Sequence, residues 1–570
     1  MLNILNIIKK NRYYFAVVLL VALACLLLGE SESRRHSHFW RMWLSVFTGA
    51  FIVIRLLTAK FIASQPNHVK EIAKKVYISI LLAATVFGIF NYYLFDKKWT
   101  VGLDDYTDVT YYYLNTKYLD ELGYSGFYAA VLTADKEYKN RHATKIRSYR
   151  DLRDNKMKST QVAFEHGQEI KTNFTPERWE QFKKDCDYFM SRKKLNRLRK
   201  LFFTDYGYNP PPTWAVPGSI LTALAKVEHV KIIALVDILF ILAMFAVVAW
   251  AFGFEVMIYL ALFFVCTFSG RWPVLSHSLL RFDWLSTLVM GIAFMKKEHY
   301  VTSGSMMAYA ALNRIFPAIF FFPWLVYVAW KLLKDRRIPM EQWRFAFGAM
   351  VTTVILVASA VILFGAGRLE ESAQKLIMHN DSYGSHRVGL GDLFVWEGET
   401  TKKEIRANGG LRTKTKKVKS LKSTFWIFGL STMLLISVYI IRTKRPVWEL
   451  IHLAAIPMFC VTNTQINYYT LRMVLVLWHT SQMFKRPFYH GLGVVMLMAT
   501  EILGHIYILD RHPRYVITTI TSICLAVYYC AMMLWMLAEI TKTFLPEKTR
   551  RQKKGSPASV ANKAAKKTGG

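Results

Sequence analysis

Apolar residues in this chain run in blocks of roughly 20, the length a helix needs to cross a bilayer, punctuated by short clusters of Lys, Arg, Asn, Gly and Pro. The blocks are rich in Leu, Val, Phe and Ala and lack period-two alternation. They therefore predict helices that satisfy their own backbone hydrogen bonds, not strands of a membrane barrel. Spans are expected near 13–29, 41–63, 76–95, 229–252, 254–270, 281–295, 300–313, 316–333, 342–365, 424–441, 447–462, 469–484, 488–507 and 514–541. The fold class is all-α and polytopic, a bundle of about 12–14 transmembrane helices. The blocks 300–313 and 316–333 are short and also read as one helix bent at Asn313-Arg314 and Pro317. At the start, Lys9, Lys10 and Arg12 precede an apolar run that continues past Ala24-Cys25 through Leu28, which reads as a retained signal anchor.

Placing the N-terminus inside puts the connections with Lys74-Lys75, Lys296-Lys297, Lys334 with Arg336-Arg337, Arg442 with Lys444-Arg445, and Lys485-Arg486 inside as well. The positive-inside rule favours that count. Arg34-Arg35 and the stretch Arg406 to Lys422 fall on the other side, against it. The chain divides into additional N-terminal helices over 1–75, a first core helix at 76–95, an extracytoplasmic loop at 96–228, a central bundle at 229–365, a second extracytoplasmic loop at 366–423, a C-terminal bundle at 424–541 and a basic, disordered tail at 542–570. The first loop begins acidic and Tyr-rich. From Asp135 to Lys200 it carries nineteen Lys/Arg against ten Asp/Glu. Thr175-Pro176-Glu177 marks a helix start there, and Trp179, Phe182, Tyr188 and Phe189 give a helical cap something to bury.

The composition, 53% hydrophobic and 15% aromatic with a net charge of +35, changes the picture in one respect. Such a charge in a soluble protein raises nucleic acid as a partner. Here the cations sit at span ends and in the tail, where they set orientation and meet anionic lipid, and no nucleic-acid-binding motif accompanies them. The six cysteines are scattered, and only Cys186 lies outside a predicted span, so neither a disulfide framework nor a zinc site follows.

Candidate chemistry gathers where the loops meet the bundle. Asp104, Asp105 and Asp108 stand just past the third span. A transferase at a membrane surface needs a carboxylate to take an acceptor proton or hold a divalent cation against a departing phosphate; an acidic cluster at a helix end equally serves as a solvated cap. Arg281 and Asp283 open a span, where ionisable groups need partners. They either pair with each other or turn Arg281 towards a lipid phosphate, with Arg314 assisting. Asp104, Asp283, His379, His386 and Arg387 are candidates to assist, although loop histidines are commonly just solvated. Asn463, Gln465, Asn467 and Tyr468 form a polar turn suited to hydrogen-bonding a sugar, or simply to joining two helices.

The stretch Asp108-Val-Thr-Tyr-Tyr-Tyr-Leu-Asn-Thr-Lys-Tyr118, with Glu121-Leu-Gly-Tyr124 and Gly126-Phe-Tyr128 after it, resembles the first outer-loop motif of bacterial multi-spanning glycosyltransferases of the GT-C fold. Ser286 to Arg337, with Lys296-Lys297, Asn313-Arg314-Ile-Phe-Pro317 and Lys334-Asp-Arg-Arg337, is similar to the polyprenol-phosphate-mannose transferases of that fold. The resemblance implies a GT-C-like bundle with an extracytoplasmic cap in a bacterial inner membrane. It implies a polyprenyl-phosphate sugar as donor and a glycan or lipid as acceptor. Asp108 takes the place of the family's catalytic Asp, with Asp105 the alternative. Two departures stand out: the additional N-terminal helices, and the size of the basic insertion at 135–200. Arg314 also replaces the more usual Lys, which keeps the charge but not the geometry.

No Walker loop, zinc helix or nucleophilic triad is present in the sequence, and no inward-facing stretch is long enough for a Rossmann domain. Two other classes stay open. A transporter or flippase of a lipid-linked or anionic solute would use groups such as Asp237 within its span. A non-catalytic scaffold would engage membrane-protein partners through aromatic and basic surfaces.

Overall fold

The computed structural model describes residues 12–30, 33–95, 106–192, 199–271, 279–380, 386–483 and 485–544, apart from the side chains of Arg34, Tyr106, Thr107, Asp108, Arg271, His379 and Asn380. Asp104, Asp105, the basic tail from 545 onward and the Lys9-Lys10 start thus lie outside the described residues.

Every predicted span coincides with helix. The bundle comprises α1 Arg12–Leu28, α2 Arg34–Ser64, α3 Asn67–Tyr92, and, beyond the cap described below, α9 Val236–Phe252, α10 Phe254–Cys266, α11 Asp283–Lys296, α12 Tyr300–Asn313, α13 Phe322–Asp335, α14 Met340–Phe364, α17 Lys422–Thr443, α18 Ala455–Val461, α19 Arg472–Gln482, α20 Pro487–Leu509 and α21 Arg514–Phe544. The chain is an all-α multi-pass membrane protein, with eight helical runs long and apolar enough to cross a bilayer among the described residues. That is fewer than the sequence predicts, for a reason of length. Helix α10 has 13 residues and α11 and α12 have 14 each, about 20 Å at ~1.5 Å per residue. Of these short helices, α10 and α11, with the broken run Val447–Val461 and with α19, are packed inside the bundle, whereas α12 and the 17-residue α1 are partly exposed. The blocks 300–313 and 316–333 are two elements, separated by an extended Arg314 (φ −144°, ψ 111°).

Contacts sort the helix ends into two layers. At one end Lys296 donates to the Ala251 carbonyl (2.8 Å), while Arg445 and Arg486 pair with Glu539. At the other, Arg35 donates to the Leu509 carbonyl (3.3 Å), and the Thr213 hydroxyl to the Leu312 carbonyl (2.6 Å). Small residues bring α12 against α14: a Cβ on Gly304 would lie 2.0 Å from the Phe345 carbonyl oxygen, and one on Gly348 would lie 2.0 Å from that of Val301.

At the second end sits a subdomain with its own core. It contains α4 Tyr106–Lys117, α5 Phe127–Tyr138, α6 Thr160–Lys171, α7 Pro176–Met190 and α8 Pro212–Leu224. A hairpin pairs β1 Ser148–Asp151 with β2 Lys156–Ser159. Thr175 caps α7 by accepting from the Arg178 amide (3.3 Å), with Pro176 in the first turn. Tyr111, Tyr113, Tyr118, Trp179, Phe182, Phe202 and Trp214 are all buried there, so the Tyr-rich segment is core. Ala360 and Phe364 of α14 join the same cluster and bind the subdomain to the bundle.

The second loop folds back on the bundle through α15 Gly367–Asn380 and α16 Gly410–Ser420. Between them, β3 Arg387–Val388 pairs antiparallel with β4 Thr464–Gln465.

Candidate functional site

The site is built where α9, α11 and α12 reach the capped end. Asp237, fully buried in the first turn of α9, accepts through Oδ1 from the backbone amides of Arg281 (2.7 Å) and Phe282 (3.0 Å). The preceding Leu280 holds a left-handed φ of 48°, a conformation that costs a β-carbon residue on the order of 1 kcal/mol or more. Its carbonyl accepts from the Trp214 indole at 3.2 Å. Asp237 and the cap thus hold a strained turn that delivers Arg281 and Asp283 side by side.

Asp283 is fully buried, and its Oδ2 accepts from Asn313 Nδ2 (2.9 Å) and the Tyr309 hydroxyl (3.2 Å). Its Oδ1 has no hydrogen-bond partner among the described residues. The extended Arg314 swings its guanidinium back: Nη1 donates to the Asn313 carbonyl (2.9 Å), and the guanidinium carbon lies 5.4 Å from the Trp214 ring centre. Arg314 is 7% exposed, its Nε lacks a partner, and it forms no ion pair within 4.0 Å among the described residues. Asp283 offsets its charge through space without a direct ion pair, a costly arrangement for a buried cation.

Arg314 and Arg281 line one small, open recess of about 20 Å³, together with Tyr112, Phe282, Trp284, Asn467, Tyr468 and Thr470. Tyr468 packs its ring on Phe316 (4.9 Å) and Trp284 (6.0 Å). Two guanidinium groups and a carboxamide between aromatic walls suit a small anionic group.

Of the residues singled out in the sequence, Arg281, Arg314, Asn467 and Tyr468 therefore share this recess, and Asp283 stands behind it. Asp108 is in the first turn of α4, four residues before Tyr112, with its side chain outside the description. His386, Arg387, Asn463 and Gln465 gather on the β3/β4 pair and do not line the recess. There Arg387 Nη1 donates to the Asn463 carbonyl (2.7 Å), and the Ile466 amide to the His386 carbonyl (2.8 Å). The side chain of His379 is outside the described set. No group of three metal-binding side chains occurs among the described residues; the acids favoured for a cation lie outside them.

Tyr112, Trp214, Trp284 and Thr470 were not singled out as site residues. Neither was the pair Arg472–Glu501, 2.7 Å apart and both fully buried. Glu501 also accepts from the Phe268 amide (3.0 Å) and the Thr267 hydroxyl (3.2 Å), while Arg472 donates to Ser269 Oγ (2.6 Å) and the Tyr469 carbonyl (3.0 Å). This network fixes the turn that carries Asn467, Tyr468 and Thr470. Ionisable residues inside apolar blocks were the available signal.

Beside the site, α15 is keyed into the cap. Lys375 is buried and donates to the Tyr124 carbonyl at 2.8 Å. Burial pulls its amine down to about 7, against the partial support of Asp205 and Glu371. Burial pushes the Asp205 carboxyl up, with the Tyr206 amide, Arg150 and Lys375 opposing.

No protein-family model matches the chain, and searches of curated proteins and of solved structures return no match either.

Proposed function

We propose that this protein is a membrane glycosyltransferase of the GT-C type, which moves a sugar from a polyprenyl-phosphate donor to a glycan or lipid acceptor outside the cytoplasm. The observation that carries the reading is the convergence of Arg281 and Arg314, both over 90% buried, on a recess walled by Tyr112, Trp284 and Tyr468. A guanidinium pair matches the oxygens of a phosphate in number and planarity, and the aromatic rings offer flat faces to a sugar or prenyl unit.

In the reaction, the acceptor hydroxyl attacks the anomeric carbon while the bond from that carbon to the phosphate oxygen breaks, and its electron pair leaves with the polyprenyl phosphate. Arg281 and Arg314 take up the charge that grows on the departing phosphate. The acceptor proton passes to a carboxylate, Asp108 or its alternative Asp105. Asn467 and Tyr468 orient the sugar. Asp283 positions the Asn313-Arg314 corner through Asn313. The Lys/Arg-rich end of the bundle lies in the cytoplasm under this reading, and the recess opens on the far face of a bacterial inner membrane.

The test is transfer from a short-chain polyprenyl-phosphate sugar by the purified, reconstituted protein. Activity should be lost in Asp108→Asn or Asp105→Asn and fall at least tenfold in Arg314→Gln, consistent with about 1.5–3 kcal/mol for a charged hydrogen bond. Full transfer in both Asp variants, at normal insertion, would sink the mechanism. Flux of the lipid-linked sugar across vesicles without covalent change would favour a flippase.

A further inference from the structure

The basic stretch that breaks the positive-inside pattern folds as a defined surface. From Trp396 to Lys422 the chain carries nine Lys/Arg against three Glu. Thr401 and Glu404 form a capping box for the short helix Lys402–Ala407, and α16 follows. Leu411 and Val418 of α16 pack on Val395, Ile405, Tyr515 and Val516. Lys414, alone among the nine, is buried, held by Glu399 (2.5 Å) and the Val395 carbonyl (2.7 Å). That inward stripe fixes the roll of α16, so Arg412, Lys416 and Lys419, spaced at helical intervals, form an exposed face.

The level of this face relative to a bilayer follows from covalent continuity. Leu421 alone separates α16 from the spanning helix α17. Trp426 (50% exposed) and Phe428 (45%) lie one to two turns into α17, beside Phe394 (37%). Four residues from Lys422 to Trp426 span about 6 Å along a helix, so the cations stand at headgroup depth above an aromatic belt.

We infer that the exposed face of α16, with the flanking lysines, is a docking surface for anionic phospholipid headgroups of the leaflet at the capped end. An amphipathic cationic helix lying directly before a span meets that layer with complementary charge. None of these residues lines the recess.

The full-length protein tests this directly. Ser420→Cys is labelled with an environment-sensitive fluorophore after Cys524 and Cys530 are replaced by serine, the other four cysteines being buried. The protein is reconstituted with equal fractions of brominated phosphatidylglycerol or brominated phosphatidylcholine. The anionic lipid should quench roughly fivefold more strongly at low salt. The preference should collapse at high salt, vanish in Arg412→Gln/Lys416→Gln/Lys419→Gln and survive Lys416→Arg. Equal quenching by the two lipids in the unsubstituted face overturns the inference, as does a preference that outlasts neutralisation. A label that no lipid quenches but that responds to soluble heparin overturns it too, in favour of a solvent-borne polyanion.

Discussion

The guanidinium of Arg314 faces the indole of Trp214, 5.4 Å from ion to ring centre. One residue comes from the break between two bundle helices and the other from the cap, so the cation at the recess is positioned jointly by both. Trp214 is fully buried and also holds the Leu280 carbonyl that precedes Arg281. A single cap side chain thus touches the supports of both arginines.

Replacing Arg314 should therefore separate charge from geometry. Arg314→Gln is expected to weaken binding of a short polyprenyl phosphate about 10–100-fold. Arg314→Lys should recover part of that loss, because it restores charge but not the fork. Titration followed by intrinsic tryptophan fluorescence reads both. Equal affinity in all three proteins would place the phosphate elsewhere.

Trp214→Ala should cost about 3–5 kcal/mol of stability through the void it leaves. Trp214→Phe should keep most of the packing yet lose the bond to Leu280, about 1 kcal/mol. Thermal unfolding in detergent measures the first effect. Phosphate binding in the Phe variant shows whether the Arg281 turn depends on the bond; unchanged affinity there would limit Trp214 to packing.

The Arg472–Glu501 pair calls for comparing the removal of one partner with the replacement of both. Glu501→Gln alone strands a buried guanidinium and should destabilise by about 3–5 kcal/mol, whereas Arg472→Met/Glu501→Leu should be much milder. If the double variant unfolds as early as the single one, the hydrogen bonds to Thr267, Ser269 and Phe268 matter more than the ion pair.

Lys375 predicts a pH dependence. Its amine titrates near 7 in the fold against 10.5 unfolded, so between those values the unfolded chain binds more protons. Stability should rise with pH across that window, by at most about 1.4 kcal/mol per unit. Asp205, raised by burial from its ordinary 3.8, contributes the opposite slope from that value upward; Glu371 is the other carboxylate that acts on the amine. Lys375→Met should flatten the alkaline rise in the unfolding midpoint. An unaltered slope in that variant would assign the rise to other groups.

The spans were legible because burial in lipid demands uninterrupted apolar length, and helix occurs wherever the blocks predicted it. That Arg281, Arg314, Asn467 and Tyr468 line one recess follows from their places at the seams of apolar blocks, which meet at the helix ends. Lengths misled over α10 and α11, because helices surrounded by protein need not match a bilayer. The Arg472–Glu501 and Arg314–Trp214 relationships were hidden for a different reason. Each joins segments brought together only by tertiary packing, and neither leaves a local periodicity. Asp104 and Asp105 lie outside the described residues, and so does the side chain of Asp108.

The near-contact of backbones at Gly304 and Gly348 has a mechanical side. With no room for a methyl group on either, α12 cannot slide or roll against α14, and α12 ends at Asn313, beside Arg314. Nine residues of stiff helix, about 14 Å, connect that crossing to the recess. A wedge driven in at Gly304 would act as a lever, with its far tip at the buried guanidinium of Arg314.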